Sequence, residues 1–480
     1  MNAFALKRPM RQWRTIIGFA AILGTVLFTA FSVCGEETGK TVVQKSAKTI
    51  VTNDVALQKI KKCDLASIID FALKNNPNMR NASRNMEIEQ YEADIARANR
   101  MPKIDMGGGV TRFRYDTYLT PTVVTSSLGA GTDFPVYRRT IWDAGVSFRL
   151  PLFRGGRLYR AVTVAEMKKT VAHDTYRMTM QELIYNLTSV YCKIVQLEKL
   201  LDANDQSVRQ LESHKRNVEL FLETGAVPKL DLLKTDVELS HAVENRLTVE
   251  NNLAGTNELL KVLMGVDDAN TEIAVVHEET MDWAYPDLEE SINKAFSDRP
   301  DYMAVRKKKL IMEERVKIAE GKRLPEISAA GEYIAKAGSQ TSFKENWNYG
   351  VRFTIPLFDG GLIRSEIKKE RVELEKIKEE ERALKLLINQ EVRDAHFRIS
   401  NALERIEVTE KAIESARENL KVETLKYDTG AGTGTDVIDA QTALLRAETD
   451  HCQALFDREI AFACLKKAIG EDEYDGEVVK

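Results

Sequence analysis

The sequence predicts a mainly α-helical chain with a smaller transmembrane β-barrel portion, in which long antiparallel coiled-coil helices form two tandem repeats. Three observations predict this class. Short motifs recur at constant spacing, each half of the chain has a run of 68 residues without Gly or Pro, and four short segments alternate apolar and polar side chains. Such uninterrupted runs favour long helices, and alternating segments are typical of strands.

Composition and charge exclude several functions. The chain has 480 residues with 69 Lys and Arg against 73 Asp and Glu, a net charge of −4 that argues against a nucleic-acid partner. Neither the five Cys nor the six His have metal-ligand spacing, and the His on predicted helices are expected to be solvated. Because nucleophile and phosphate-loop motifs are also missing, we predict no enzyme activity, no metal and no cofactor.

A secretory signal peptide is predicted over residues 1–35, followed by an N-terminal extension over residues 36–63. Four basic residues precede an uncharged run from residue 15 to residue 33, which is the arrangement of such a signal. Two alternatives stay open. The run is long enough to remain in the membrane as a helix, and acylation at Cys34 would make the chain a lipoprotein, although the residues before Cys34 fit that pattern poorly.

An internal duplication sets the domain organisation. Pro77 and Pro300 begin matching segments 223 residues apart, whereas the later Pro-Leu-Phe motifs at Pro151 and Pro356 lie 205 residues apart. The difference of 18 residues falls between Ile104 and Pro151 of the first copy, where an exposed loop accommodates an insertion most easily. The predicted domains are repeat 1 (64–267), an inter-repeat linker (268–286), repeat 2 (287–470) and a C-terminal tail (471–480).

Each repeat contains one very long predicted helix, over residues 157–224 and 362–429. Apolar residues in these runs recur at alternating spacings of four and three, interrupted in the first copy by Asn204 and Lys215. Such heptads predict coiled coils, and a helix of this length spans about 100 Å. Each run ends in a Gly turn and is followed by a predicted returning helix of roughly half the length.

Four strands of about ten residues, the length that crosses a bilayer when tilted, are predicted from alternation. They lie near residues 104–116 and 138–150 in repeat 1 and near 327–336 and 347–356 in repeat 2. In the first strand, Phe113 and Tyr115 are expected on the face opposite Arg112 and Arg114. A half-buried soluble sheet is the alternative. Four strands cannot close a useful barrel, so the membrane interpretation requires several copies of the chain.

In these features the sequence resembles the TolC-type outer-membrane efflux proteins, over about residues 64–470. The resemblance rests on the ordered set of helices, strands, Pro-Leu-Phe strand exits and Gly turns, repeated at constant offset. It implies a homotrimer with a 12-stranded barrel in contact with outer-membrane lipid and a helical tunnel across the periplasm. It also implies a periplasmic adaptor (membrane fusion) protein and an inner-membrane transporter as partners. A structural coiled-coil envelope protein without a channel is the alternative function.

Two acidic residues are candidates for a pore constriction. Asp436 and Asp439 lie three residues apart at the start of a predicted helix and so share a face. The resemblance implies that these carboxylates line the tunnel entrance, where three copies would favour cations. Helix capping is the alternative role for Asp436. The first repeat has Asp231 but Lys234 at the position that matches Asp439.

The resemblance also assigns roles to the Gly turns. It implies that the turns bind the adaptor, and that Tyr427 and Asp231 help to hold neighbouring coiled coils shut. Relatives commonly have an Arg in the second turn, where Gly432 stands here, so a charged contact of that kind is not expected. The candidate docking residues are Gly225, Ala226, Leu230, Gly430, Ala431 and Thr435.

Overall fold

A computed structural model describes residues 63–118, 137–225, 227–267, 273–276, 285–338 and 344–471. Apart from residues 273 and 274, these belong to one compact unit. Several predicted segments lie outside the described residues. They are the signal peptide, nearly all of the N-terminal extension, most of the linker, nearly all of the C-terminal tail, Ala226, and residues 119–136, where the inserted loop is predicted. Within the described ranges, none of the helices is both long and apolar enough to span a bilayer.

The predicted fold class is confirmed, because four helices and two strands follow one another in the same order in each half of the described chain. The first half contains α1 (Leu65–Asn75), α2 (Pro77–Ala98), β1 (Lys103–Tyr118), β2 (Tyr137–Arg154), α3 (Arg157–Glu223) and α4 (Lys229–Met264). The second half contains α5 (Leu288–Asp298), α6 (Pro300–Gly321), β3 (Glu326–Gly338), β4 (Lys344–Thr354), α7 (Leu362–Asp428) and α8 (Gly434–Ile469).

Corresponding helices in the two halves have identical lengths. The first pair has 11 residues each, the second 22, the long helices 67 and the returning helices 36. The returning helices also end alike, at Gly265 and Gly470, which have φ values of +72° and +76°. A Cβ at either Gly would collide with the backbone of the other helices of its own half. The duplication therefore extends to the packing of the helix ends.

The coiled-coil cores form where the heptads predict them. In α3 and α7 the seam residues are buried at Leu183, Leu187, Ile194 and Leu197 and at Ile388, Val392, Ala395, Ile399 and Ala402. The two polar interruptions are accommodated differently. Asn204 is buried and its amide donates to the carbonyl of Leu200, whereas Lys215 Nζ reaches Oδ1 of Asp236 on α4 at 2.7 Å.

The four strands form one antiparallel sheet in the order β1-β2-β3-β4, so that β2 and β3 join the two repeats. In the first hairpin Lys103 lies opposite Arg149, and in the second Glu326 lies opposite Thr354. Lys103 and Glu326 are 223 residues apart, and Arg149 and Thr354 are 205 apart. The two hairpins therefore have the same register, and the spacings of the sequence motifs also hold in the strands.

The strand ends differ from the prediction. β1, β2 and β3 are longer than predicted, whereas β4 ends at Thr354 and not at residue 356. The matching end of β2 continues to Arg154 because it pairs there with the start of β3. β4 ends at Thr354 because that residue faces Glu326, where its partner β3 begins.

The apolar positions of β1 change parity along the strand. Ile104, Met106 and Val110 occupy even positions and are exposed on one face, whereas Phe113 and Tyr115 occupy odd positions. The ladder with β2 is irregular between Arg112 and residue 117. An irregularity of this kind shifts the alternation of a strand, and it lies where the apolar positions change parity.

Candidate functional site at the helical turns

The two Gly turns close the ends of the long helices. Gly225 and Gly430 both have φ of +76°, a left-handed conformation that glycine adopts without strain. Their amides donate to the carbonyls of Leu222 and Tyr427, each at 3.0 Å. The turns therefore terminate the helices as predicted. Ala431 and Leu230, two of the docking candidates, are exposed beside them.

A small apolar core, here called the turn core, joins the two coiled coils next to these turns. Val218 of α3, Tyr427 of α7 and Val437 of α8 are buried in it. The Tyr427 ring lies 5.8 Å from that of Phe221 in an edge-on arrangement and 5.1 Å from the His214 ring. Aromatic packing therefore holds the end of α7 against α3.

His214 was expected to be solvated, and the structure corrects this. It is 7% exposed, and its Nε2 atom has no hydrogen-bond partner. The start of α8 covers it, since a Cβ placed on Gly434 would lie 3.5 Å from Nε2. Burial lowers the pKa of His214, while the negative charges of Asp428 and Asp231 act in the opposite direction. The turn core therefore contains a buried imidazole that favours the neutral form.

Tyr427 and Asp231, the predicted closed-state pair, are near each other but are not hydrogen-bonded. The buried Tyr427 hydroxyl has no partner. Burial raises the pKa of Tyr427, and the negative charges of Asp231 and Asp428 raise it further. In this chain the contact between the coils consequently depends on ring packing, and a hydroxyl–carboxylate bond does not contribute to it.

Asp436 is part of a capping box at the start of α8. Its Oδ2 accepts from the Thr433 amide at 3.0 Å and from the Thr433 hydroxyl at 2.7 Å, and the Asp436 amide donates back to that hydroxyl. These hydrogen bonds, first of all the one from the Thr433 side chain, lower the pKa of Asp436. The capping role is therefore present, and the carboxylate remains exposed and ionised.

Asp439 lies one turn further along, on a groove between α4 and α8. The groove has a volume of about 460 Å³, and Leu230 and Leu233 line it while remaining 58% and 52% exposed. Lys234 lines the same groove, and its Nζ donates to the Thr435 hydroxyl at 3.2 Å. The structure thus brings Asp439, Leu230 and Thr435 together on one surface and adds a basic residue from the first repeat.

The two structural features of this region differ in how far the sequence predicts them. The capping box has a local signal, Thr433 three residues before Asp436, that was available in the sequence. The burial of His214 has no local signal, because α7 and α8 of the other repeat create it. Within the described ranges, no three His, Cys, Asp or Glu side chains converge in a metal-binding group.

Comparisons with known proteins agree with this architecture. The family model for outer membrane efflux proteins matches residues 68–266 and 291–471. The outer membrane protein TolC of Vibrio cholerae is 22% identical over 420 residues, covering 85% of this chain and 90% of its own. The outer membrane efflux protein BepC of Brucella suis biovar 1 is 21% identical and covers 92% of each chain.

Solved structures agree in fold. The crystal structure of the Campylobacter jejuni CmeC outer membrane channel superposes with a TM-score of 0.75 at 17% identity, over 85% of each chain. At this identity the likeness concerns the fold alone. Together with the family model, which matches both repeats, it leads to one conclusion: the chain belongs to the outer membrane efflux protein family.

Proposed function

We propose that the chain is the outer-membrane exit channel of a tripartite efflux or type I secretion system. Three copies would form a barrel in the outer membrane and a helical tunnel in the periplasm. The observation that carries the proposal is the attachment of a four-stranded sheet with two unpaired edges to coiled coils of 67-residue helices. The role is that of a conduit without a catalytic step, and residues 1–35 would be removed as the signal peptide.

The sheet explains why several copies are needed. β1 and β4 each leave one edge of the sheet without a strand partner. A bilayer does not tolerate unpaired backbone groups, so the edges must be satisfied by other copies of the chain. Extracted from outer membranes in detergent, the mature chain is expected to run near three times its own mass. A stable monomer that retains its sheet would contradict the channel proposal.

The partners would bind at the helical turns. The exposed Leu230 and Leu233 form an apolar strip on the groove between α4 and α8, next to Thr435. Exposed apolar surface of this kind is typical of a protein interface. We propose that the periplasmic adaptor docks here and at the Gly turns, and that the inner-membrane transporter delivers cargo to the tunnel entrance.

The pore mouth gives a specific prediction. Replacing Asp436 and Asp439 together by Asn is expected to weaken cation selectivity, because a trimer would lose a ring of carboxylates around its entrance. An Asn at position 436 can still accept the Thr433 amide bond, so α8 should keep its cap. Reversal potentials in a salt gradient across planar bilayers measure the change.

The matched control is Asp231→Asn. Asp231 occupies the position in α4 that corresponds to Asp436 in α8. If it lies away from the entrance, its replacement should leave the reversal potential nearly unchanged. An unchanged potential in the double variant, with the trimer intact, would mean that Asp436 and Asp439 serve only as a cap and a surface group.

A further inference from the structure

The turn core buries two polar groups that have no hydrogen-bond partner. They are Nε2 of His214 on α3 and the hydroxyl of Tyr427 on α7, and each of the two residues is 7% exposed. Their rings lie 5.1 Å apart, where the end of α7 and the start of α8 cover α3. A polar group that loses water and gains no partner destabilises the state in which it is buried. The packed turn core is therefore less stable than its apolar contacts alone would make it.

The charged groups that act on His214 come from two helices. Asp231 lies at the start of α4 and Asp428 is the last residue of α7. Neither carboxylate bonds to Nε2. The start of α8 contributes Gly434, which has no side chain, and Tyr427 is the titratable group whose ring touches the imidazole. A proton added to Nε2 in the packed core would consequently have no acceptor.

A charged His214 finds partners only when the core opens. An imidazolium donates from both ring nitrogens, and water or the carboxylates of Asp231 and Asp428 can accept these bonds, since neither carboxylate is buried. In the packed core the ring instead lies in the apolar cluster that contains Val218 and Tyr427. A charge costs more in such surroundings than in water. Protonation therefore favours the open arrangement over the packed one.

The polar pair is present on only one side of the duplication. At the spacing of 205 residues that relates the long helices, His214 corresponds to Asn419 and Tyr427 corresponds to Leu222. Asn and Leu side chains do not titrate. The repeated heptads therefore do not account for the His and the Tyr, which meet only where the end of α7 packs on α3.

The turn core joins the segment that leads to the proposed pore mouth to the other coiled coil. Its residues on α7 and α8 flank the second Gly turn, and Asp436 and Asp439 lie in the first two turns of α8. The neighbouring cluster of Leu211, Ala242 and Ile438 also joins α8 to α3 and α4, and it contains no titratable side chain. Of these two contacts, only the turn core can change its strength with pH.

We propose that His214 makes the tunnel entrance acid-sensitive, so that uptake of a proton at Nε2 weakens the hold of α3 on the α7–α8 coil and the entrance opens more often. The inference rests on the proposed channel and adds a signal that acts on it, namely the pH of the compartment that contains the helical turns. The coupling is reciprocal. An entrance that is held open by a bound partner should therefore take up the proton more readily.

Single-channel recording with a different pH on each side of the bilayer tests the inference. Trimers of the mature full-length chain are inserted in one orientation, and the chamber that faces the helical turns is brought from about pH 7.5 to about pH 5.5, the range in which a His titrates. The open probability of the wild-type channel is expected to rise at least about threefold, below the limit of about tenfold per pH unit for one proton. Acidification of the opposite chamber should leave it unchanged.

Three substitutions separate the contributions. His214→Phe keeps an aromatic ring and should abolish the response to pH while the channel still conducts, and His214→Gln gives the same prediction if Phe packs poorly. Tyr427→Phe removes the unpaired hydroxyl but keeps the ring, so it should lower the open probability at both pH values and retain the response. The exposed His241 on α4 provides the control, because His241→Gln should respond like the wild type.

The outcomes distinguish this inference from the channel proposal. A wild-type open probability that is the same at both pH values would overturn the inference, and so would a response that persists in both His214 variants. Either result would leave the channel proposal standing. Intact, inserted trimers that conduct at neither pH would overturn the channel proposal itself.

Discussion

Gly321→Ala is expected to lower the free energy of unfolding by about 1–3 kcal/mol, the usual cost of overpacking a rigid contact. Gly321 ends α6, and Gly155 follows β2 with φ of +60°. A Cβ on Gly321 would lie 2.5 Å from the Gly155 carbonyl oxygen and 2.9 Å from Cγ of Arg157. Because the backbone atom belongs to the junction of the β2–β3 ladder with α3, it cannot move without disturbing both repeats.

Thermal unfolding of the detergent-solubilised protein measures this effect, with Gly255→Ala as the control. Gly255 lies inside α4, and a Cβ there would meet no atom within 4 Å. Ala is favoured over Gly in a helix interior by about 1 kcal/mol, so the control should raise the unfolding temperature. Equal stabilisation by both substitutions would mean that the two repeats do not touch at Gly321.

Acidification is expected to loosen the turn core, because His214 is buried there in its neutral form. Its pKa is lowered below the ordinary value of 6.5 by burial. Above that value the imidazole is neutral whether the core is packed or open, and pH has no effect through this residue. As the pH falls below 6.5, the open state binds a proton more readily than the packed state. The packed state is therefore progressively disfavoured.

Hydrogen–deuterium exchange at the end of α7, corrected for intrinsic rates, measures this loosening. Protection of residues 420–428 should fall between about pH 7 and about pH 5 in the wild-type chain, the range in which a His titrates. His214→Phe keeps an aromatic ring without a titratable group and should hold the protection constant. Asp231→Asn should make the loss of protection larger, because the negative charge of Asp231 raises the pKa of His214 and so partly offsets the effect of burial. The exposed His241 provides the control substitution, His241→Gln, which should change nothing.

Features that depend on local sequence were predicted well. The long helices follow from heptads and from the lack of Gly and Pro, and the predicted runs 157–224 and 362–429 agree with the structure to within one residue. The same reasoning fails where the end of a strand or its alternation depends on residues far away in the sequence. β4 ends at Thr354 because its partner β3 begins at the facing residue Glu326. The change of parity in β1 coincides with an irregularity in its ladder with β2.

The candidate site also combines features that the local sequence predicts with features that depend on distant residues. The turns at Gly225 and Gly430 could be predicted, because left-handed Gly after a long heptad run is a local signal. The burial of His214 could not, since residues more than 200 positions away in α7 and α8 surround it. The roles of Asp436 and Asp439 at the entrance depend on other copies of the chain and stay predictions.

If the assembled chain is an outer-membrane channel, it must conduct ions across a lipid bilayer. Single-channel recording of the purified trimer in planar lipid bilayers tests it. The trimer is expected to produce discrete conductance steps that favour cations over anions. Trimers that insert into the bilayer, as shown by protection of their strands from added protease, yet produce no conductance steps at any voltage would contradict it.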